Sequence, residues 1–177
     1  MARERREHEV LVGDCLGAAG LALWPERSVG CVITDPPFGA HIYDNMRTNA
    51  RVPGNGLTAQ RSHAGYGALT AGQLDTAASH FTRIAKRWII VFSDAESIHL
   101  WRNALVLNGA RHVRTGVFLK DNPMPQVSGD RPGQGFELIE IAHVDRAVGA
   151  ERMRWNGGGR PAVWRATTAQ AEGQEVI

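Results

Sequence analysis

The chain has 177 residues, 43% of them hydrophobic and 21% charged, with a net charge of +2. That length gives one domain with a buried core, and that composition excludes disordered and fibrous classes. The mild positive charge leans only slightly toward acidic partners. The charged residues 1–9 lack the apolar core of a signal peptide, and no run is long enough to span a bilayer, so a cytoplasmic protein without a membrane partner is expected.

In chain order, residues 9–13 read as a first strand. Asp14 can cap a short helix with Leu16, Ala19, Gly20 and Leu23 on one face, stopped by Trp24-Pro25. The short apolar, β-branched run that ends at Thr34 reads as a buried strand. Cys15 and Cys31 lack metal-ligand spacing and read as reduced, buried thiols; no metal site is expected. Residues 40–72 lose all periodicity, hold Arg47, Arg51 and Arg61 against Asp44 alone, and are rich in glycine. A loop this long is functional or disordered, and here a lid or DNA-binding insertion is expected. Residues 73–86 form an amphipathic helix through Leu74, Ala77, Ala78, Phe81, Ile84 and Ala85. Residues 88–92 are a buried strand. Ser93-Asp94 can cap a helix with Ile98, Trp101 and Leu105 inward, ended by Asn108-Gly109. Strands follow at 113–119 and 136–144, separated by a Pro/Gly-rich loop, with a last short strand at 161–165. The tail, residues 166–177, is polar and frayed. Strands alternating with helices predict an α/β domain with a largely parallel sheet, whose ligands sit beyond the carboxyl ends of the strands. Asp14, Asp35 and Ser93-Asp94 all lie at such ends.

The informative stretch is Cys31-Val32-Ile33-Thr34-Asp35-Pro36-Pro37-Phe38-Gly39. A residue before proline is held extended, and prolines have fixed φ and no N–H. The loop is therefore stiff and rich in acceptors. The Asp35 carboxylate and nearby carbonyls can converge on a planar group bearing an NH2, with Phe38 stacking on its ring.

This stretch resembles the Asp-Pro-Pro-(Tyr/Phe) motif of the DNA amino-methyltransferases. The order Val10-Leu11-Val12-Gly13-Asp14-Cys15-Leu16, Trp24-Pro25, Ser28-Val29 and then Asp-Pro-Pro is similar to the permuted members of that family. Gly129-Asp130-Arg131-Pro132-Gly133-Gln134-Gly135-Phe136-Glu137 and Arg154-Trp155-Asn156-Gly157-Gly158-Gly159-Arg160 resemble small phage and prophage methylases, with restriction-modification enzymes as relatives. The resemblance implies a Rossmann-like fold dependent on S-adenosylmethionine, with DNA as partner and the exocyclic amine of adenine as target. It implies catalytic roles for Asp35, Pro36, Pro37 and Phe38, and cofactor roles for Asp14 and Asp35. Arg131, Arg154 and Arg160, set among glycines, join Arg47, Arg51 and Arg61 as expected phosphate contacts. Cytosine, RNA or a protein amide remain alternative acceptors, and a non-catalytic DNA-binding remnant is the rival reading.

The resemblance covers residues 1–177 as one partial catalytic domain. Permuted relatives continue into an Asp-Pro-Phe-x-Gly-Ser-Gly strand and loop that holds the methionine end of the cofactor, and no such segment occurs here. In the family's sheet two strands of that half separate the counterpart of residues 9–13 from the Asp-Pro-Pro strand. The fold is thus expected to be incomplete. A second chain or a homo-oligomer could fill the gap, or the first strand could close on Val29–Thr34. The isolated chain is expected to bind S-adenosylmethionine weakly.

Overall fold

A computed structural model describes residues 9–37, 39, 67–123, 129, 132–144 and 153–166. Its frame is a five-stranded sheet of order β1-β2-β4-β3-β5, where β1 is Val29–Thr34, β2 Ala85–Ser93, β3 Arg111–Lys120, β4 Phe136–His143 and β5 Val163–Ala166. Helices α1 (Ala71–Ile84) and α2 (Ile98–Leu107) follow β1 and β2 in the chain. The pairings β1–β2 and β3–β5 are parallel, and both pairings of β4 are antiparallel. The sheet is therefore mixed, and the expected parallel arrangement holds for half of these pairings. The cause is local: β4 returns from β3 through a loop instead of a helical crossover, and such a return runs antiparallel.

Side chains alternate across strands, so each face of β2 has its own fate. Ile89 and Val91 point to one face and are fully buried against Ala78, Phe81, Trp101 and Leu105 of the helices. Each large side chain so buried contributes about 1.5–3 kcal/mol. Phe81 and Trp101 stack across the two helices, with ring centroids 6.1 Å apart.

Helix α1 starts two residues earlier than periodicity predicts. Thr70 and Gln73 form a capping box: the Gln73 amide donates to Thr70 Oγ1 (3.2 Å) and the Thr70 amide to Gln73 Oε1 (3.0 Å). The helix also stops earlier, because Ala85 pairs with Val29 and belongs to β2 along with Lys86. Helix α2 is capped by Asp94, whose Oδ1 accepts from the amides of Glu96 and Ser97 at 3.0 and 2.8 Å. Gly109, at φ 91°, ends it in the left-handed region that suits glycine.

Residues 9–13 are not a strand. Val10, Leu11 and Val12 are 84%, 68% and 98% exposed, and no strand pairs with them among the described residues. Without a paired strand, the ladder bonds that would hold it extended do not form among the described residues. After it come turns and a single 3-10 turn, Leu21–Leu23, in place of the expected helix. Arg83 holds this segment: its guanidinium donates to the carbonyl of Leu21 (2.7 Å) and to that of Trp24. Cys15 and Cys31 are exposed, against expectation. Cys15 lies in the turn region, and Cys31 sits on β1, the edge strand of the sheet. Among the described residues no helix is long and apolar enough to cross a membrane.

Candidate functional site

Strand β1 ends at Thr34, and Asp35-Pro36-Pro37 continues it as extended chain past the sheet. The prolines cannot donate to a ladder, so pairing stops there and the Asp35 carboxylate is left at the strand mouth. Asp35, Pro36 and Pro37 line one cleft of about 710 Å3 with Asp14, Leu16, Leu69 and Gln73. The two carboxylates picked out in the sequence thus share a cavity although 21 positions separate them in the chain (35 minus 14). Asp14 keeps its place through a local turn, its Oδ1 accepting from the Leu16 amide at 2.9 Å.

The Asp-Pro-Pro loop is tied down from the next strand. The Gly39 amide donates to Asp94 Oδ2 at 3.1 Å. Asp94 is 2% exposed, and its other oxygen caps α2. One buried carboxylate therefore fixes both the loop after Pro37 and the helix after β2. The sequence showed Asp94 as a cap but gave no sign of the bond to Gly39, a contact 55 residues away.

Asp35 has charged neighbours from the far side of the sheet. Partial burial holds its carboxyl above the ordinary carboxylate range; Glu137 pushes it further up and Lys120 pulls it down. Glu137 and Lys120 form an ion pair at the adjoining ends of β4 and β3. Sequence reasoning assigned no role to either. The available signal was the alternation of Glu137, Ile139 and Ile141, which sets a carboxylate at the head of an apolar row. Asp35 is thus a carboxylate open to a cleft with a raised affinity for its proton.

The other expected site residues fall elsewhere. Arg154 and Arg160 are exposed on the segment before β5. The Arg154 carbonyl accepts from Trp88 Nε1 (3.0 Å) and from Arg87 (3.2 Å). Arg160 lines a second cleft that shares no residue with the first. Phe38, Arg47, Arg51, Arg61 and Arg131 lie outside the described residues, as do most of the 40–72 insertion and residues 167–177. Ala166 belongs to β5, so the tail expected from 166 gives up its first residue to the sheet.

No protein-family model matches the sequence, and no curated protein sequence matches it. Solved structures do match the fold. The PvuII cytosine-N4-specific DNA methyltransferase superposes with a TM-score of 0.57 at 13% identity, over 92% of this chain and 58% of that one. TTHA0409 of Thermus thermophilus, assigned as a DNA modification methylase, gives 0.53 at 15% identity, over 86% and 64%. The M1.HpyAVI complex with S-adenosylmethionine gives 0.50 at 16% identity, over 85% and 59%. The chain spans 58–64% of the length of these proteins. Over that length, the chain shares its fold with these DNA methyltransferases.

Proposed function

We propose that this chain carries the target-amine half of a DNA amino-methyltransferase, with adenine as the base methylated. The observation that carries the reading is the shared cleft: Asp14 and the rigid Asp35-Pro36-Pro37 mouth face one cavity within a methyltransferase fold. An aromatic amine is a poor nucleophile because its lone pair is delocalised into the ring. A carboxylate and a carbonyl that accept both of its N–H bonds favour a tetrahedral nitrogen and localise that pair. Asp35 and the Pro36 carbonyl would do this. Asp35 would also offset the positive charge that develops on nitrogen. The amine is out of reach inside a duplex, so the base must be extruded into the cleft, with Phe38 as the proposed stacking partner. Arg47, Arg51, Arg61, Arg131, Arg154 and Arg160 are proposed phosphate contacts.

S-adenosylmethionine is the proposed cofactor. The cleft of about 710 Å3 is of a size that takes a drug-sized ligand. The exposed Asp14 carboxylate suits the hydroxyl- and amine-rich adenosine end. When bound, the cofactor supplies an activated sulfonium methyl, and the chain's own part is to place the amine in line with it. Among the described residues no glycine-rich turn opening a helix faces the methionine end.

Two observations favour different details. The PvuII enzyme is cytosine-N4-specific, which keeps cytosine as the second reading. Asp, and not Ser, opens the motif here, which favours adenine. The deciding measurement is transfer of labelled methyl from S-adenosylmethionine to DNA, followed by mass analysis of the nucleosides. In any assembly of this chain that has activity, N6-methyladenine is expected with the wild-type sequence and none with Asp35→Ala. Methylcytosine alone would move the reading to cytosine. Equal transfer by Asp35→Ala would remove Asp35 from the chemistry, and no transfer by a folded assembly that binds both S-adenosylmethionine and DNA would overturn the enzymatic reading.

A further inference from the structure

A second cleft, about 900 Å3 in volume, lies over β2, β4 and β3 beneath the segment 153–166. Its walls include Trp88, Trp155 and Trp164 with Arg114 and Arg160, and no carboxylate among the described residues lines it. Trp155 and Trp164 are each 37% exposed, so part of each ring faces the cleft or solvent. Both rings are nevertheless held in place. Trp155 packs edge-on to Trp88 with centroids 5.0 Å apart, and Trp88 is pinned by its Nε1 bond to the Arg154 carbonyl. Trp164 lies on Gly116, where an added Cβ would come within 2.6 Å of its ring.

The glycine triplet is shaped to the same feature. A Cβ on Gly157 would lie 2.7 Å from Trp155 Nε1, and Gly158 has φ 64°, which favours glycine. Two of the three glycines are therefore required for the loop to wrap the indole. Arg114 and Arg160 have no ion-pair partner among the described residues, so their guanidinium groups are available at the rim. Rigid, partly exposed aromatic faces beside two exposed arginines form a stacking platform with a phosphate anchor. An apolar peptide or helix would ask for a longer apolar floor than one rimmed by two arginines.

We propose that this cleft binds an unstacked nucleotide of a DNA strand, its base against Trp155 and Trp164 and its phosphate on Arg160 and Arg114. The site is separate from the Asp35 cleft and rests on the DNA reading above only for the choice of strand. It would hold a second base outside the duplex while the target base is extruded elsewhere.

The test uses the intact 177-residue chain and its tryptophan fluorescence, titrated with single-stranded oligothymidylate and, separately, with thymidine monophosphate. Saturable quenching by the oligonucleotide is expected. Trp164→Leu should weaken binding by roughly tenfold to a hundredfold, the range that loss of one stacked base implies. Trp164→Leu disturbs packing on Gly116, so Arg160→Ala, a surface change, provides the second variant. It should weaken binding and flatten the salt slope by about one. No quenching, or quenching that neither variant alters, removes the site. Equal affinity for the mononucleotide would replace the strand by a free nucleotide and overturn the proposal, as would quenching that tracks self-association of the protein without DNA. Methyl transfer is not read, so a failure here leaves the amine chemistry of Asp35 standing, and a failure there leaves this site testable.

Discussion

Residues 10–12 and residues 89–91 are both apolar and β-branched or aliphatic, yet they end in opposite states. Ile89 and Val91 are fully buried, while Val12 is almost fully exposed. Strand β2 has β1 on one edge and β4 on the other, with helices over one face. Residues 9–13 have no strand on either side among the described residues. Strand β1, expected to be buried, is intermediate: among the described residues it pairs with β2 alone, and its Ile33 is 67% exposed. The comparison teaches that an apolar run becomes a strand only where another backbone completes its hydrogen bonds and another layer covers it.

The sharpest way to break this comparison is to truncate one apolar side chain in each region. Leu105, fully buried under the sheet, should cost about 2–5 kcal/mol as Leu105→Ala. Val12→Ala should cost under about 0.5 kcal/mol, since it is almost fully exposed. Urea unfolding of both variants reads the difference. Equal losses would mean that residues 9–13 find a strand partner in solution.

A smaller effect is expected at Glu140, which has no exposure at all on the helix-covered side. It pairs with His112 (2.5 Å) and Arg102 (3.4 Å), and Arg102 also donates to Thr115 at 2.6 Å. Both partners are about one-third exposed, so water can rescue them when Glu140 is removed. Glu140→Ala should therefore cost about 1–3 kcal/mol, below the figure for a fully buried pair. A shift of the urea midpoint with unchanged slope is the expected result. A changed slope would point instead to a loosened native state.

The uncovered region should respond differently to charge. Ile33→Lys places an ammonium on the open edge strand, where unpaired backbone invites pairing with another copy. Stability should move by less than about 0.5 kcal/mol. Sedimentation should show less self-association than the wild type at equal concentration. A large loss of stability would show that Ile33 is covered in solution.

Legibility in the sequence followed the same division. Ile98, Trp101 and Leu105 were readable as one helix face because local periodicity and local burial agree. Asp35 was readable as lying at a strand's end because it terminates an apolar run, whereas Asp14 shares its cleft although residues 9–13 form no strand. Residues 9–13 satisfied every local rule for a strand and failed for want of a neighbour, which no local rule records. Ala85 and Lys86 are good helix formers, yet pairing of Ala85 with Val29 takes them into β2. Thr70 and Gln73 carried a capping signature that helical periodicity alone, read from Gln73 onward, passes over. The bond from Gly39 to Asp94 and the approach of Glu137 to Asp35 join distant segments and leave no local trace.

The smallest effect belongs to Asp35, at the boundary between the two regions. Its carboxyl is raised by partial burial first and by Glu137 second, with Lys120 opposing. The folded chain therefore binds this proton more tightly than the unfolded chain. Its contribution to stability is fully present below the ordinary carboxylate value and is lost as pH rises through the raised one. At neutral pH the ionised carboxylate is a net cost to folding. Asp35→Asn keeps the shape and removes the charge. It should match the wild type in acid and become the more stable of the two as pH approaches neutrality, while losing methyl transfer. The side chain is partly exposed, so solvent screening keeps this gain below every other effect named here. Paired urea titrations across the acid-to-neutral range test it. A variant less stable than wild type at neutral pH would show that Lys120 outweighs burial and Glu137, and that Asp35 is held as a paired carboxylate instead of a strained one.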